Sequence, residues 1–186
     1  MARTTSFDHT AAVTGARALF WRVGYDSAST GDLEAATGLS RSSIYNTFGS
    51  KRALFDATVQ SYLDDIVHPL LTPLLADPVA PSALDDYLER LSRAVAQQDR
   101  RDDVRGCLLL ATTSSSLSDD PEIRASVTDY RSTLEDAITR GAIAAGHTRQ
   151  TATLVTAALV GALTIARVDS TAAVDALSAA RDLVAP

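Results

Sequence analysis

Apolar positions recur every three to four residues along most of the chain, which is the spacing of one face of an α-helix. No stretch alternates apolar and polar residues for long, as a half-buried strand would. The pattern therefore predicts an all-α protein of about nine helices. The predicted helices cover about 8–23, 29–37, 40–48, 50 to beyond 66, 82–97, 104–117, 121–145, 150–168 and 171–184.

Turn and cap residues divide these helices. Gly38 suits the left-handed backbone that ends a helix, and Ser40 suits the N-cap of the next one. Ser50 is expected to cap a further helix. Proline lacks a backbone N–H and clashes with the preceding turn, so His68–Pro69 is expected to bend or end that helix. Residues 97–103 are charged and are predicted to form a loop.

Residues 29–48 form two short predicted helices joined by a glycine-containing turn, which is the helix-turn-helix pattern. Ile44 and Phe48 lie one turn apart on the second helix, so both are expected to face inward. The outward side chains can donate and accept hydrogen bonds, and none of them is acidic. The three helices up to residue 48 are expected to bury Leu19, Phe20, Leu33, Ala36, Ile44 and Phe48.

From about Phe7 to Leu63 the sequence resembles the DNA-binding domain of TetR-family transcriptional regulators. The resemblance rests on residues that occur in the order and spacing of that family. The rest of the chain, about two thirds of it, resembles the family only in being helical. The matching residues are Ala18–Leu19–Phe20, Gly24–Tyr25, Ser29–Thr30, Leu33, Ala36, Gly38–Leu39–Ser40, Ile44–Tyr45, Phe48–Gly49–Ser50–Lys51 and Leu54–Phe55.

The resemblance implies a DNA-binding domain over residues 1–49 and a regulatory and dimerisation domain over residues 50–186. The helix from residue 50 would link the two. It further implies that Thr30 and Lys51 contact phosphates and that Tyr45 contacts the DNA backbone. Arginine can pair with guanine and asparagine with adenine; for each residue the alternative is a solvated helix surface. The DNA-binding candidates are Thr30, Arg41, Ser42, Ser43, Tyr45, Asn46, Thr47 and Lys51.

Charge is divided unevenly along the chain. The net charge is −6, but residues 1–60 hold six cations and five acids. The rest of the chain is therefore acidic, which disfavours its lying along DNA. Local groups of the N-terminal part can still make phosphate contacts. Double-stranded DNA is thus the expected partner of the N-terminal part alone.

Composition favours a cytoplasmic helical protein. The single cysteine, Cys107, forms no internal disulfide, and its apolar neighbours favour an inert buried thiol over an oxidant sensor. Residues 152–168 are apolar but include threonines and Arg167, which favours a buried or interface helix over a membrane span. No signal peptide is apparent at the N-terminus.

A homodimer and a small-molecule effector complete the interpretation. The last two helices, about 150–184, are apolar nearly all round, and a two-fold partner would cover them; the resemblance implies the same dimer. The effector would bind within the C-terminal helices and release a repressor from a near-palindromic operator. A helical protein-interaction module without effector sensing remains the alternative. The effector-site candidates, for each of which core packing is the competing interpretation, are Tyr62, Ile66, Tyr87, Leu91, Cys107, Leu110 and Tyr130.

The sequence offers nothing typical of an enzyme or a metalloprotein. It lacks a nucleophile elbow and a phosphate-binding glycine loop. The three histidines are scattered without the spacing of metal ligands. We therefore expect neither catalytic residues, nor a metal site, nor a cofactor.

Overall fold

The computed structural model describes residues 8–101 and 105–185. Every regular element in those ranges is helical, which confirms the all-α class. A π-helical turn at Leu63–Val67 joins α4 and α5 without a break, so the described ranges hold nine helical runs. The α-helices are α1 (His9–Val23), α2 (Thr30–Thr37), α3 (Arg41–Phe48), α4 (Lys51–Tyr62), α5 (His68–Leu75), α6 (Ala83–Arg101), α7 (Leu108–Thr112), α8 (Pro121–Ala144), α9 (Arg149–Ile165) and α10 (Ser170–Asp182).

Helices α1–α4, residues 8–62, form an N-terminal head. Local side-chain caps fix where its short helices begin: the Ser40 hydroxyl accepts the backbone N–H of Ser43 over 3.3 Å. The Ser50 hydroxyl accepts the N–H of Ala53 over 3.0 Å. Gly38 ends α2 with φ +69°. These caps agree with the sequence prediction, because each depends only on residues within one turn.

The core of the head forms where α1 packs against α2 and α4. Four of the predicted core residues, Leu19, Phe20, Leu33 and Ile44, are fully buried. Ala36 and Phe48 are only half-buried and pack against the edge of that core. Phe48 is the last residue of α3, and its ring contacts that of His9 at 5.1 Å between centroids.

The helical run from Lys51 to Leu75 connects the head to the body, residues 63–185. The sequence predicts that His68–Pro69 bends or ends this helix. The helix does not end there, so that part of the prediction is wrong. In the wide turn before the proline, the N–H of His68 donates to the carbonyl of Leu63, five residues earlier. Pro69 then occupies the first turn of α5, where its missing N–H costs least.

In the body, α10 packs on α6 and α9, while α8 packs on α9 and α5. Helix α6 extends to Arg101. The prediction of a loop over 97–103 is therefore wrong for residues 97–101, and residues 102–103 lie outside the described ranges. Charge alone does not end a helix, and glutamine and arginine are good helix formers.

Helix α7 is much shorter than the predicted helix over 104–117, whose first residue lies outside the described ranges. Gly106 has φ +68° and Cys107 is extended, so helical geometry begins only at Leu108. After Thr112, hydroxyl groups bond back to carbonyls: Ser115 Oγ donates to the carbonyl of Thr112 over 2.8 Å. Such local bonds compete with helix continuation. The apolar segment is buried as predicted, but as a short helix between turns.

Candidate nucleic-acid interface and regulatory cavity

Helix α3 presents one polar face to solvent. Arg41, Ser42, Tyr45, Asn46 and Thr47 are exposed, and Ser43 is half-buried. Ile44, on the opposite side, is 2% exposed and anchors the helix in the core. The six outward candidates of this helix therefore share one surface, as the sequence predicts from the inward spacing of Ile44 and Phe48.

The N-terminus of α3 is fastened to the preceding helix. The backbone N–H of Arg41 donates to the Glu34 carboxylate over 2.6 Å. The Ser40 hydroxyl lies 3.0 Å from those of both Ser42 and Ser43. These bonds hold the first turn in place, so the candidates farther along α3 project from a fixed base.

Thr30 and Lys51 occupy equivalent positions in their helices. Thr30 is the first residue of α2 and Lys51 the first of α4. The free N–H groups of a helix N-terminus and its dipole favour a phosphate there. Lys51 is half-buried, with its ammonium 4.6 Å from the centre of the Tyr25 ring. This contact orients the side chain of Lys51, which is the only lysine of the chain.

The acidic groups of the head are all engaged within the protein. Each of the five carboxylates accepts a hydrogen bond, whereas Arg41 and Lys51 form no ion pair with any described residue. Bonding to Ser116 holds the pKa of Asp26 below its ordinary value, with a smaller contribution from Lys51. Sequence reasoning missed this arrangement, because the partners are not all local. The acceptors are Asp8, Asp26, Asp32, Glu34 and Asp56.

A shallow groove of about 660 Å³ runs beside the turn between α2 and α3. Ser43, Asn46 and Thr47 lie together along it, next to Gly38 and Leu39. Tyr45 is 39% exposed, and the Arg41 guanidinium lies 5.8 Å from its ring centre. The face thus combines hydrogen-bonding side chains with the Arg41 guanidinium and an exposed aromatic ring.

A second candidate site is a cavity of about 60 Å³ where the head meets the body. It brings together five of the seven effector candidates, which are Tyr62, Ile66, Tyr87, Leu91 and Tyr130. The other two, Cys107 and Leu110, line a separate open cleft beside residues 23–27.

Cys107 lies between two phenols of the cavity wall. The Tyr62 hydroxyl donates to its sulfur over 3.4 Å, and the sulfur lies 3.8 Å from the Tyr130 hydroxyl. Burial raises the pKa of Tyr62, Tyr87 and Tyr130.

Trp21 also lines this cavity and is not among the effector candidates predicted from the sequence. Its indole N–H donates to the Gly106 carbonyl over 3.2 Å, and its ring meets that of Tyr62 edge-on at 5.0 Å. Gly106 in turn donates its N–H to the Gln98 side chain over 3.0 Å. The cavity is thus walled by both head and body.

Residues 12–58 match the family model for bacterial regulatory proteins of the tetR family. Over 145 residues the chain is 28% identical to the HTH-type transcriptional regulator YezE of Bacillus subtilis, covering 78% of this chain and 73% of YezE. It is 33% identical to the HTH-type transcriptional repressor AcnR of Corynebacterium efficiens over 124 residues, covering 67% of this chain and 58% of AcnR. The chain belongs to the TetR family.

A solved structure of a TetR-family regulator extends the likeness to the whole fold. CifR, in a cysteine-substituted form complexed with 26-bp double-strand operator DNA, superposes with a TM-score of 0.73. The match covers 97% of this chain and 98% of CifR at 25% identity. The arrangement of a helix-turn-helix head on a helical body is therefore that of a TetR-family regulator. The matched region is less than two thirds of AcnR.

The described part of this TetR-family chain holds neither a cluster of potential metal ligands nor a helix suited to span a membrane. Among residues 8–101 and 105–185, no group of three or more potential metal ligands is assembled. Within the same ranges, no helix has both the length and the apolar character needed to cross a bilayer.

Proposed function

We propose that this chain is a homodimeric transcriptional repressor that binds a near-palindromic operator through α3 and is released by a small-molecule effector. Residues 1–49 would bind DNA, and residues 50–186 would sense the effector and dimerise. One observation carries the DNA-binding part of the proposal. Every carboxylate of the head is bonded within the protein, while Arg41 and Lys51 remain without an ion pair among the described residues.

This charge arrangement suits a phosphate backbone. Arg41 and Lys51 can each neutralise a phosphate, and the bonded carboxylates are held in internal hydrogen bonds. Asn46 and Thr47, exposed on the same face, can then reach base edges in the major groove. The CifR complex with operator DNA supports this orientation by analogy of fold.

A dimer is supported by the exposed side of α9. Four exposed residues follow one another on α9 at intervals of three or four: Leu154, Ala157, Gly161 and Ile165. Val168, in the turn after α9, continues the stripe and is 81% exposed. A Cβ added to Gly161 would meet no atom within 4 Å. Glycine within a helix lowers its stability by about 1 kcal/mol relative to alanine. This cost is offset where the missing side chain lets a second helix approach closely, as at a two-fold interface. A second copy of the chain fits this stripe.

Dimerisation defines the kind of operator. Two α3 helices related by a two-fold axis read half-sites separated by about 34–36 Å, one turn of B-DNA, or by a multiple of that distance. The body would then stand away from the duplex, as its acidity favours.

The effector part of the proposal rests on the cavity shared by head and body. Trp21 belongs to α1 and Tyr62 to α4, and both line the cavity. A ligand that binds more tightly when these walls separate would favour one head orientation over another. Effector binding would then weaken operator binding, and operator binding would weaken effector binding by the same coupling free energy.

The direct test is a fluorescence-anisotropy titration of DNA flanking the chain's own coding region. Wild-type protein should bind as a dimer, and the double variant Tyr45→Ala/Lys51→Ala should bind at least about tenfold more weakly. Thermal unfolding would verify that the variant is folded. Equal binding by the two proteins would reject α3 and the start of α4 as the DNA contact. A folded protein that binds none of this DNA would favour the protein-interaction alternative.

A further inference from the structure

The Tyr87 hydroxyl differs from the other phenols around the cavity. Tyr87 is only 5% exposed, yet its hydroxyl bonds to no described residue. The hydroxyls of Tyr62 and Tyr130, by contrast, both contact the Cys107 sulfur. Buried polar groups are nearly always hydrogen-bonded, so an unused hydroxyl at this depth needs an explanation.

The position of that hydroxyl follows from what surrounds it. Among the described residues, no fully enclosed side-chain oxygen or nitrogen lacks a partner. The Tyr87 hydroxyl must therefore border open volume, and Tyr87 is one of the residues that line the cavity. A molecule in the cavity can reach this free donor and acceptor.

The remaining walls define what such a molecule can be. They are mainly aliphatic, including Ile66, Leu71 and Leu91, and no charged side chain is among the lining residues that the structure describes. An ion would lose its hydration there without a counter-charge. Gln98 adds a side-chain amide, whose oxygen already accepts the N–H of Gly106.

We propose that this cavity binds a compact, uncharged molecule with an apolar or aromatic body and one hydroxyl or carbonyl oxygen, and that the Tyr87 hydroxyl bonds that oxygen. The identification of this molecule with the effector rests on the function proposed above. The ligand class and its anchor rest on the cavity alone.

Size adds a second constraint. The cavity measures about 60 Å³, whereas an apolar cavity that takes up benzene measures about 150 Å³. A molecule of benzene size must therefore spread the walls as it enters. Trp21 of α1 and Tyr62 of α4 are in contact within these walls, with 5.0 Å between their ring centroids.

The test uses three probes that share one ring: benzyl alcohol, toluene and benzoate. Trp21 is the only tryptophan of the chain and lines the cavity, so its fluorescence reports occupancy in the absence of DNA. Wild-type protein should bind benzyl alcohol about fivefold more tightly than toluene, the range of one net hydrogen bond. Benzoate should bind at least about tenfold more weakly than benzyl alcohol because its charge is not compensated.

Two matched variants identify the anchor. Tyr87→Phe should bring the ratio of alcohol to toluene affinity to about one while leaving toluene affinity unchanged. Tyr62→Phe removes a phenol that already bonds Cys107, and should retain the preference for the alcohol. The proposal is overturned if the preference survives Tyr87→Phe, if benzoate binds best, or if no probe changes either the fluorescence or the melting temperature.

Adding operator DNA separates this proposal from the function on which it depends. Tyr87-dependent binding of benzyl alcohol without operator release would keep the ligand class and overturn the effector mechanism. Operator release by a charged compound, with no binding of the alcohol, would keep the effector mechanism and overturn the ligand class.

Discussion

Arg52 and Asp120 form a bidentate ion pair that ties the head to the body. Nη2 of Arg52 donates to Oδ1 of Asp120 over 2.9 Å, and Nη1 donates to Oδ2. Arg52 lies in the first turn of α4, and Asp120 is the N-cap of α8. Both side chains are partly buried, so this pair is less screened by solvent than a surface pair. It fixes the start of α4 relative to the body.

This pair predicts a specific acid sensitivity. Bonding to Arg52, followed by the backbone N–H of Ile123, lowers the pKa of Asp120 to about 2 from an ordinary value of 3.8. A carboxyl whose folded pKa is depressed stabilises the fold above its unfolded pKa and loses that contribution as pH falls through the folded value. The free energy of unfolding should therefore decline between about pH 4 and pH 2. Urea unfolding at several pH values measures this decline.

Asp120→Asn separates this effect from general acid unfolding. Asparagine keeps the N-cap but removes the charge, so the variant should be less stable near neutral pH and should decline less steeply below pH 4. Asp119→Asn is the control, because Asp119 is exposed and bonds to no described residue. If the free energy of unfolding fell equally steeply with pH in wild type, Asp120→Asn and Asp119→Asn, the prediction would be wrong.

The polar face of α3 predicts two distinct DNA-binding phenotypes. Lys51→Ala should weaken binding to all duplexes and reduce the slope of log affinity against log salt by about 1.8 for the proposed dimer, because each protomer loses one phosphate contact worth about 0.9. Asn46→Ala should cost about 1–3 kcal/mol per half-site on the operator and leave that slope unchanged, because it removes the proposed base contact. Anisotropy titrations at four salt concentrations distinguish the two.

Arg93→Ala serves as the control for these titrations. Arg93 is exposed on α6 and pairs with Glu89, so losing it should change neither affinity nor slope. An unchanged slope for Lys51→Ala would show that Lys51 does not meet a phosphate.

Gly161 predicts where two copies of the chain approach most closely. Gly161→Leu should force the facing helices apart and weaken the dimer at least about tenfold, since overpacking costs about 1–3 kcal/mol. Gly31→Leu makes the same change at an exposed helical glycine of the head and should leave the dimer intact. Sedimentation equilibrium measures both. A Gly161→Leu protein as dimeric as wild type would exclude this stripe as the interface.

Gly106 predicts a large loss of stability on a minimal substitution. A Cβ there would lie 2.4 Å from the Leu163 carbonyl oxygen, and φ is +68°. Overpacking and backbone strain together should cost about 2–5 kcal/mol in Gly106→Ala. Gly38→Ala has a similar φ of +69° but open space, and should cost only about 1–2 kcal/mol. Urea unfolding compares the two, and similar losses would refute the packing argument.

Local signals account for the correct sequence predictions. The caps at Ser40 and Ser50, the glycine turn at Gly38 and the inward position of Ile44 each depend on residues within one or two helical turns. Such features follow from hydrogen-bonding geometry and helical spacing, and they define the polar face of α3. The location of the DNA-binding candidates could therefore be predicted from the sequence.

Contacts between distant segments account for what the sequence did not predict. The partner of Arg52 lies 68 residues away, and Trp21 bonds to Gly106 across 85 residues. Apolar spacing correctly indicated burial around Leu108 and Leu109, but could not reveal that Gly106 delays the helix. Five of the seven effector candidates line one cavity, whereas Cys107 and Leu110 line another cleft. Their role in effector binding stays a prediction.

The uneven charge of the chain affects how its DNA affinity responds to salt. The head is nearly neutral, and three of its cations, Arg22, Arg41 and Lys51, form no ion pair with a described residue, while the body carries the negative charge. Added salt weakens phosphate contacts by reducing the gain from counterion release, but it also screens repulsion between the acidic body and the duplex. The two effects have opposite signs. A measured salt slope should therefore understate the number of phosphates that the proposed dimer contacts.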